Sequence, residues 1–245
     1  MAQKMIIDTD PGVDDAMAIF FALRSPELDV IGLTTVFGNV HTDLATTNAL
    51  RLLEIAGRTD IPVAKGADDP LAGPFKGPVP FVHGDDGQGN ANLPAPRSRP
   101  IDQPAAAFIV EQIMAAPGEI TLVPIGPLTN IALALRLEPR IAQHVKEVVL
   151  MGGNALCPGN ATPAAEANIH NDPEAADVVF GAGWPVTMVG LDVTHQVNMT
   201  PEHLARYAAS DDPLAQHIAR IIPHYRAYFE RANPGMRGIY VHDSS

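Results

Sequence analysis

The chain is poor in cysteine, aromatic residues and basic residues. Its 245 residues include one cysteine, Cys157, and 5% aromatic residues. One cysteine cannot form an internal disulfide, which suits a reducing compartment. Lysine and arginine number 16 against 28 aspartates and glutamates, giving a formal net charge of −12. This charge argues against nucleic acid or an anionic membrane as a partner.

Long apolar runs are also missing. No segment approaches the roughly 20 apolar residues that span a bilayer, and the start, MAQKMIID, lacks the apolar h-region of a secretory signal. We therefore expect a cytoplasmic protein without a membrane partner. The apolar fraction of 46% suffices for one sizeable core, so we expect a single domain over residues 1–245.

Short apolar runs alternate with helical patterns along the chain. The runs are MII, DVIGLTTVF, IPVA, EITLVPI, EVVLM and PVTMVGL, and helical patterns cover 42–57, 103–115, 127–138 and 172–182. This alternation predicts an α/β fold with an open, mostly parallel sheet and helices on both faces. Two long irregular stretches, 66–101 and 152–171, are predicted to be functional loops.

Polar residues or glycines follow five of the predicted strands. They are Asp8 and Asp10, Gly38 and Asn39, Gly126, the Gly152–Asn154 stretch, and Asp192. The ligand crevice of an open parallel sheet lies at the carboxyl ends of its strands. We therefore expect these residues to converge on one site.

The stretch MIIDTDPGVDDAMAIFFALR places four aspartates, Asp8, Asp10, Asp14 and Asp15, within eight residues. Helix capping would explain Asp14 and Asp15, but it leaves Asp8 and Asp10 unexplained. A hard divalent cation with oxygen ligands accounts for all four better.

A magnesium phosphatase with an aspartyl nucleophile is a competing interpretation of the acidic turn. Such chemistry needs a cation for the phosphate, yet no basic residue lies between Lys4 and Arg24, and the chain has no GxxxxGK[ST] or GxGxxG loop. Asparagines and a glutamate in 159–172 offer donors and acceptors for hydroxyls, although turn chemistry would explain any one of them alone. Together these features favour a sugar over a phosphate.

Two histidines stand out. His83 lies in FVHGDDGQGN, and His242 directly precedes Asp243. A lone histidine is more often structural than catalytic, so the sequence alone makes their involvement only suggestive.

The chain resembles the inosine–uridine-preferring nucleoside hydrolases. The resemblance spans nearly the whole chain and rests on these motifs: DTDPGVDDAMAI, TTVFGNV, VHGDDGQG, IGPLTNIALAL, MGGN, GNATPAAEANIHNDPEAADVVF, VGLDVTH and HDSS. It implies a Rossmann-like nucleoside hydrolase fold. It also implies a Ca²⁺ ion held by Asp10, Asp15, the backbone carbonyl of Ile125, and Asp243.

The same resemblance implies a mechanism and a substrate, a small ribonucleoside. Asp10 would be the general base that takes a proton from the attacking water, and His242 would help the base to leave by protonating it. The ribose would be held by Asp14, Asn39, Asn160, Glu166 and Asn168, and His83 and Met151 would lie near the bound nucleoside. The products would be free base and ribose, as in purine or pyrimidine salvage, and the enzyme would be a homodimer or homotetramer.

The chain ends two residues after Asp243, whereas members of the family continue with further helical structure. We therefore expect a shortened, truncated C-terminal part, weakened calcium binding and reduced hydrolysis. The alternative function is a catalytically weak or inactive homologue that binds a nucleoside or ribose.

Overall fold

A computed structural model describes residues 2–245 of the chain. Its strands are Gln3–Thr9 (β1), Leu28–Thr35 (β2), Val63–Lys65 (β3), Ile120–Pro124 (β4), Glu147–Met151 (β5), Val186–Val189 (β6), Asn198–Met199 (β7) and Ile239–Tyr240 (β8). Its helices are Val13–Arg24 (α1), Thr42–Ile55 (α2), Pro80–His83 (α3), Ala105–Ala115 (α4), Thr129–Leu137 (α5), Ile141–His144 (α6), Ala167–Asn171 (α7), Pro173–Phe180 (α8), Leu191–Thr194 (α9), Pro201–Ala208 (α10) and Pro213–Ala232 (α11).

Six strands form a parallel sheet in the order β3-β2-β1-β4-β5-β6. The order reverses between β1 and β4, and at such a switch point the flanking loops diverge and leave a crevice. The α/β prediction is confirmed, and each of the six strands contains part of a run identified in the sequence.

Alternate residues of β1 enter two apolar layers. Met5 and Ile7 pack with α1, α2 and α11, whereas Ile6 packs on the opposite face with α4, α5 and α8. Because both faces are covered, the strands are apolar nearly throughout, as parallel strands usually are. The helices on both faces are therefore confirmed.

The two predicted loops are largely irregular, with the short helices α3 and α7 inside them. The sequence analysis did not anticipate the small antiparallel pair β7–β8, whose strands have only two residues each. Among residues 2–245, no helix is both long enough and apolar enough to cross a membrane.

Candidate active site

Asp10 lies at the switch point, just beyond the end of β1. Its Oδ2 accepts the backbone N–H of Asn39 at 2.6 Å, whereas its buried Oδ1 has no hydrogen-bond partner among the described residues. A Cβ atom built at Gly38 would lie 2.0 Å from this carboxylate, and one at Gly126 would lie 2.8 Å from it. The backbone therefore packs directly against Asp10 and leaves one oxygen free for chemistry.

Asp15 is held by three donors at the start of α1. Its Oδ1 accepts the Thr9 hydroxyl at 2.6 Å, and its Oδ2 accepts the Gly12 N–H at 2.8 Å and Asn39 Nδ2 at 3.0 Å. Asn39 thus connects Asp15 to Asp10, through its side chain to the first and its backbone to the second. These bonds fix the two carboxylates relative to each other.

Asp14, on the same helical turn, faces α11. Its Oδ2 accepts the Tyr225 hydroxyl at 3.0 Å, and its Oδ1 is buried without a partner. One oxygen each of Asp14, Asp15 and Asp243 lies within 4.8 Å of the other two. This cluster could hold a metal ion, and it contains two of the predicted ligands, Asp15 and Asp243, together with Asp14.

Burial and mutual repulsion oppose the charged state of these acids. Burial, followed by the charge of Asp15, raises the pKa of Asp10 well above its usual range. Burial and the neighbouring aspartates do the same to the pKa of Asp243, and burial raises the pKa of Asp14 to about 6. No lysine or arginine of residues 2–245 forms an ion pair with this group. A divalent cation supplies the missing positive charge, so the residues fit a metal site.

The segment that carries Asp243 is tied to the rest of the protein. β8 pairs with β7, and Val241 is only 4% exposed. The Ser245 hydroxyl closes a turn by donating to the Val241 carbonyl at 2.7 Å. Asp243 therefore follows an anchored strand.

A cavity of about 490 Å³ opens above the acids. Its lining includes Asp14, Asp243 and Ile125, together with five aromatic residues: Phe81, Tyr225, Tyr228, Phe229 and Tyr240. A lining that combines carboxylates with aromatic rings suits a ligand with a polyol group and a flat apolar group.

The predicted polar contacts lie around this cavity. Asn168 Nδ2 donates to the carbonyls of Ile125 and Met151, each at 3.1 Å. Glu166 caps α7, and it accepts the N–H groups of Asn168 at 2.9 Å and of Gly153 at 2.8 Å. Asn160 Oδ1 accepts the backbone N–H of Ala167 at 2.9 Å, so the oxygen of this side chain is engaged, and its NH₂ group is the part that could donate to a ligand. These side chains shape the loops as well as lining the cavity.

His83 lines the cavity as a neutral ring. Its Nδ1 accepts the Val13 N–H at 3.1 Å, so the proton is on Nε2. Burial lowers its pKa to about 4, and the 3.9 Å approach to Asp14 is therefore not an ion pair at neutral pH. The ring can donate one hydrogen bond from Nε2.

His242 also lines the cavity, and its Nδ1 is 2.7 Å from the Thr194 hydroxyl. Burial, followed by the nearby His195 and His83, lowers its pKa to about 3. The family resemblance implies that this histidine protonates the leaving base. The buried ring is neutral at pH 7, because solvent cannot stabilise its charge.

Sequence reasoning missed the amide network beneath the acidic turn. Gln88, which is 2% exposed, donates from Nε2 to the carbonyls of Gly12 at 2.8 Å, Gly87 at 3.2 Å and Pro11 at 3.3 Å. Its Oε1 is 3.0 Å from His217 Nε2. The motif VHGDDGQG contained this glutamine, but nothing in the sequence indicated its partners.

Replacing Gln88 with glutamate should destabilise the protein. A carboxylate oxygen would face three carbonyl oxygens, and unsatisfied buried polar groups cost about 1–3 kcal/mol each. We expect a loss of several degrees in the thermal midpoint, measured by calorimetry. The control is Gln143→Glu on the exposed surface, which should shift the midpoint by less than a degree. Equal midpoints for the two variants would contradict a supporting role for Gln88.

The sequence and the fold are both similar to those of known proteins. The family model described as inosine-uridine preferring nucleoside hydrolase matches residues 5–245. A probable uridine nucleosidase 2 of Arabidopsis thaliana is 53% identical, covering 98% of this chain and 75% of that protein. An inosine-uridine preferring nucleoside hydrolase of Crithidia fasciculata is 45% identical, covering 99% of this chain and 77% of that protein.

A solved plant nucleoside hydrolase superposes with a TM-score of 0.97 at 47% identity, covering 100% of this chain and 77% of that one. The family match, the relatives and the superposed fold agree over nearly the whole chain. This chain therefore belongs to the inosine-uridine preferring nucleoside hydrolases and is a nucleoside hydrolase.

Proposed function

We propose that this enzyme hydrolyses the N-glycosidic bond of ribonucleosides in a calcium-dependent reaction that releases free base and ribose. The main support is the group of buried carboxylates without a cationic partner beside a partly aromatic cavity that Asp14 and Asp243 line. Uridine and inosine are the first substrates to test, because relatives at 53% and 45% identity bear names with uridine or inosine-uridine.

Asp10, Asp15, Asp243 and the Ile125 carbonyl would hold the Ca²⁺ ion, with Asp14 near enough to contribute an oxygen or to bind a ribose hydroxyl. Bound Ca²⁺ would offset the repulsion among the acids and make the attacking water more acidic. A nearby cation also lowers the pKa of a carboxyl group, so Asp10 would be ionised in the loaded enzyme.

Asp10 is suited to act as the general base. Its Oδ2 is fixed by the Asn39 N–H, and its Oδ1 is free to accept a proton. As the glycosidic bond stretches, positive charge develops on the ribose ring, as in glycoside cleavage generally. The surrounding carboxylates favour that charge.

The ribose would lie against the polar side chains of the cavity and the base against its aromatic rings. Asn39, Asn160, Glu166 and Asn168 would bind hydroxyls, and His83 would donate from Nε2. Tyr228 and Phe81, whose ring centroids are 5.9 Å apart, are placed to cover the base, with Met151 beneath the nucleoside. His242 would donate from Nε2 to the departing base and disperse the negative charge that builds up there.

Incubation with uridine, inosine and cytidine tests the proposal. Chromatography should detect free base and ribose in a 1:1 ratio, and a chelator should stop the reaction until Ca²⁺ is restored. Nucleoside binding without product would support the alternative of an inactive binding homologue. A role in nucleoside salvage, a cytoplasmic location and a homodimer or homotetramer remain proposals based on the family resemblance.

His242→Ala should lower kcat about a hundredfold, within the usual range for general acid–base groups, and change KM little. The reason is that the side chain acts on the leaving base rather than on the ribose. Steady-state kinetics with inosine and uridine measure the effect, with His144→Ala on α6 as the control. Unchanged rates with both nucleosides would exclude the role.

A further inference from the structure

Among residues 2–245, the side chain of His242 forms one hydrogen bond, and its partner is Thr194. Thr194 is completely buried at the end of α9 and does not line the cavity, whereas His242 does. The hydrogen bond, 2.7 Å long, joins the Thr194 hydroxyl to Nδ1 of His242, which leaves the other ring nitrogen, Nε2, without this contact. We propose that Thr194 is a positioning residue that orients His242 so that Nε2–H points at the leaving base.

The other neighbours of His242 cannot set this orientation. They are the rings of His195, Tyr240 and Phe229, with centroids 5.7, 5.8 and 6.2 Å from the imidazole. Aromatic walls restrict the plane of a ring, but they distinguish poorly between an imidazole and the same imidazole flipped by 180°. Among residues 2–245, the Thr194 hydroxyl is the one group that forms a hydrogen bond with the His242 side chain, so it distinguishes Nδ1 from a ring carbon.

A threonine hydroxyl suits this task because it can both donate and accept. When it donates to Nδ1 of the neutral ring, as the proposal requires, the only ring proton lies on Nε2. If the ring becomes charged, the same oxygen can accept from Nδ1–H after its own proton rotates away. The contact therefore survives either state of the ring.

The position of Thr194 is itself fixed by the sheet. Its N–H donates to the Gly190 carbonyl at 3.1 Å, and the Leu191 N–H donates to the Gly153 carbonyl at 2.9 Å. A Cβ atom at Gly190 would lie 2.8 Å from that same Gly153 oxygen, so β6 and the turn after β5 pack tightly here. The hydroxyl is thus presented from a rigid support.

The inference rests on the proposed role of His242, and substrate choice tests it separately. Natural nucleosides have poor leaving groups, whereas 4-nitrophenyl β-D-ribofuranoside releases a phenolate that needs no protonation. With the full chain and Ca²⁺, Thr194→Val should lower kcat for inosine and uridine about tenfold and leave kcat for the nitrophenyl riboside within twofold. Thr194→Ser should restore the nucleoside rates, and Thr187→Val on the exposed edge of β6 should match the parent.

The two variants, His242→Ala and Thr194→Val, separate the role of Thr194 from the role of His242. If His242→Ala lowers the nucleoside rates selectively but Thr194→Val does not, this inference fails and the role of His242 stands. If His242→Ala shows no selectivity, both fail. An equal loss on both substrates in Thr194→Val means a merely structural role and overturns the inference.

Nitrogen NMR of the parent protein provides a test that needs no variant. With ¹⁵N-labelled histidine, the neutral His242 ring should carry its proton on Nε2. A proton on Nδ1 would overturn the inference.

Discussion

Asp10→Asn should reduce kcat for uridine by at least about a thousandfold, toward the upper end of the effect of one general base. The amide can still accept the Asn39 N–H, so the fold should be preserved, but it cannot take a proton from water and is a weaker partner for a cation. Initial rates of base release, with protein concentration and thermal midpoint matched to the parent, measure the loss.

Asp8→Asn is the matched control. Asp8 is completely buried near the end of β1, where its Oδ1 accepts from the Thr34 hydroxyl and from Asn130 Nδ2 at 2.8 Å. An asparagine oxygen can accept both bonds, so activity should stay within a few-fold of the parent. Comparable losses in the Asp8 and Asp10 variants would mean that total charge, rather than the free oxygen of Asp10, supports catalysis.

Removal of calcium should abolish hydrolysis at pH 7.5 and lower the thermal midpoint by at least about 5 °C. Burial raises the pKa of Asp14 from near 4 in an unfolded chain to about 6. A shift of this size destabilises the metal-free fold by about 3 kcal/mol at neutral pH. For a chain of this length, 1 kcal/mol corresponds to about 2–4 °C.

The direction of the pH dependence follows from proton binding. The buried histidines His83, His217 and His242 have lowered pKa values, so near pH 5 they hold fewer protons in the native protein than in the unfolded chain. Between pH 4 and 7 the three aspartates Asp10, Asp14 and Asp243 of the metal-free native protein instead hold more protons, because their pKa values are raised. Their contribution to stability is therefore present in full below about pH 4 and is lost as the pH rises. Because Ca²⁺ binds ionised carboxylates, scanning calorimetry should show that Ca²⁺ raises the thermal midpoint more at pH 7.5 than at pH 5. A Ca²⁺-induced increase in the midpoint that is no larger at pH 7.5 than at pH 5 would contradict the account.

The sheet and the acidic turn could be predicted from the sequence because both depend on local patterns. Apolar runs specify the strands, and Asp10, Asp14 and Asp15 lie within six residues. The contacts made by α11 could not be predicted in the same way. Tyr225 reaches Asp14 across 211 positions, and His217 reaches Gln88 across 129. Such pairings depend on how a helix packs in three dimensions, which periodicity does not determine.

The behaviour of His242 shows a second limit. In the sequence His242 directly precedes the charged residue Asp243, yet its ring lies among the rings of Phe229, Tyr240 and His195. Burial among these rings lowers the pKa of His242, so the imidazole is neutral rather than charged at pH 7. Adjacency in sequence indicates little about the dielectric surroundings of a side chain, which distant parts of the chain supply.

Calcium titration of the metal-free protein, with hydrolysis of uridine assayed at each point, tests the central claim most directly. The account predicts one ion per chain, hydrolysis that rises in proportion to occupancy, and loss of both in Asp15→Asn. Full hydrolysis by protein with no bound metal would contradict it.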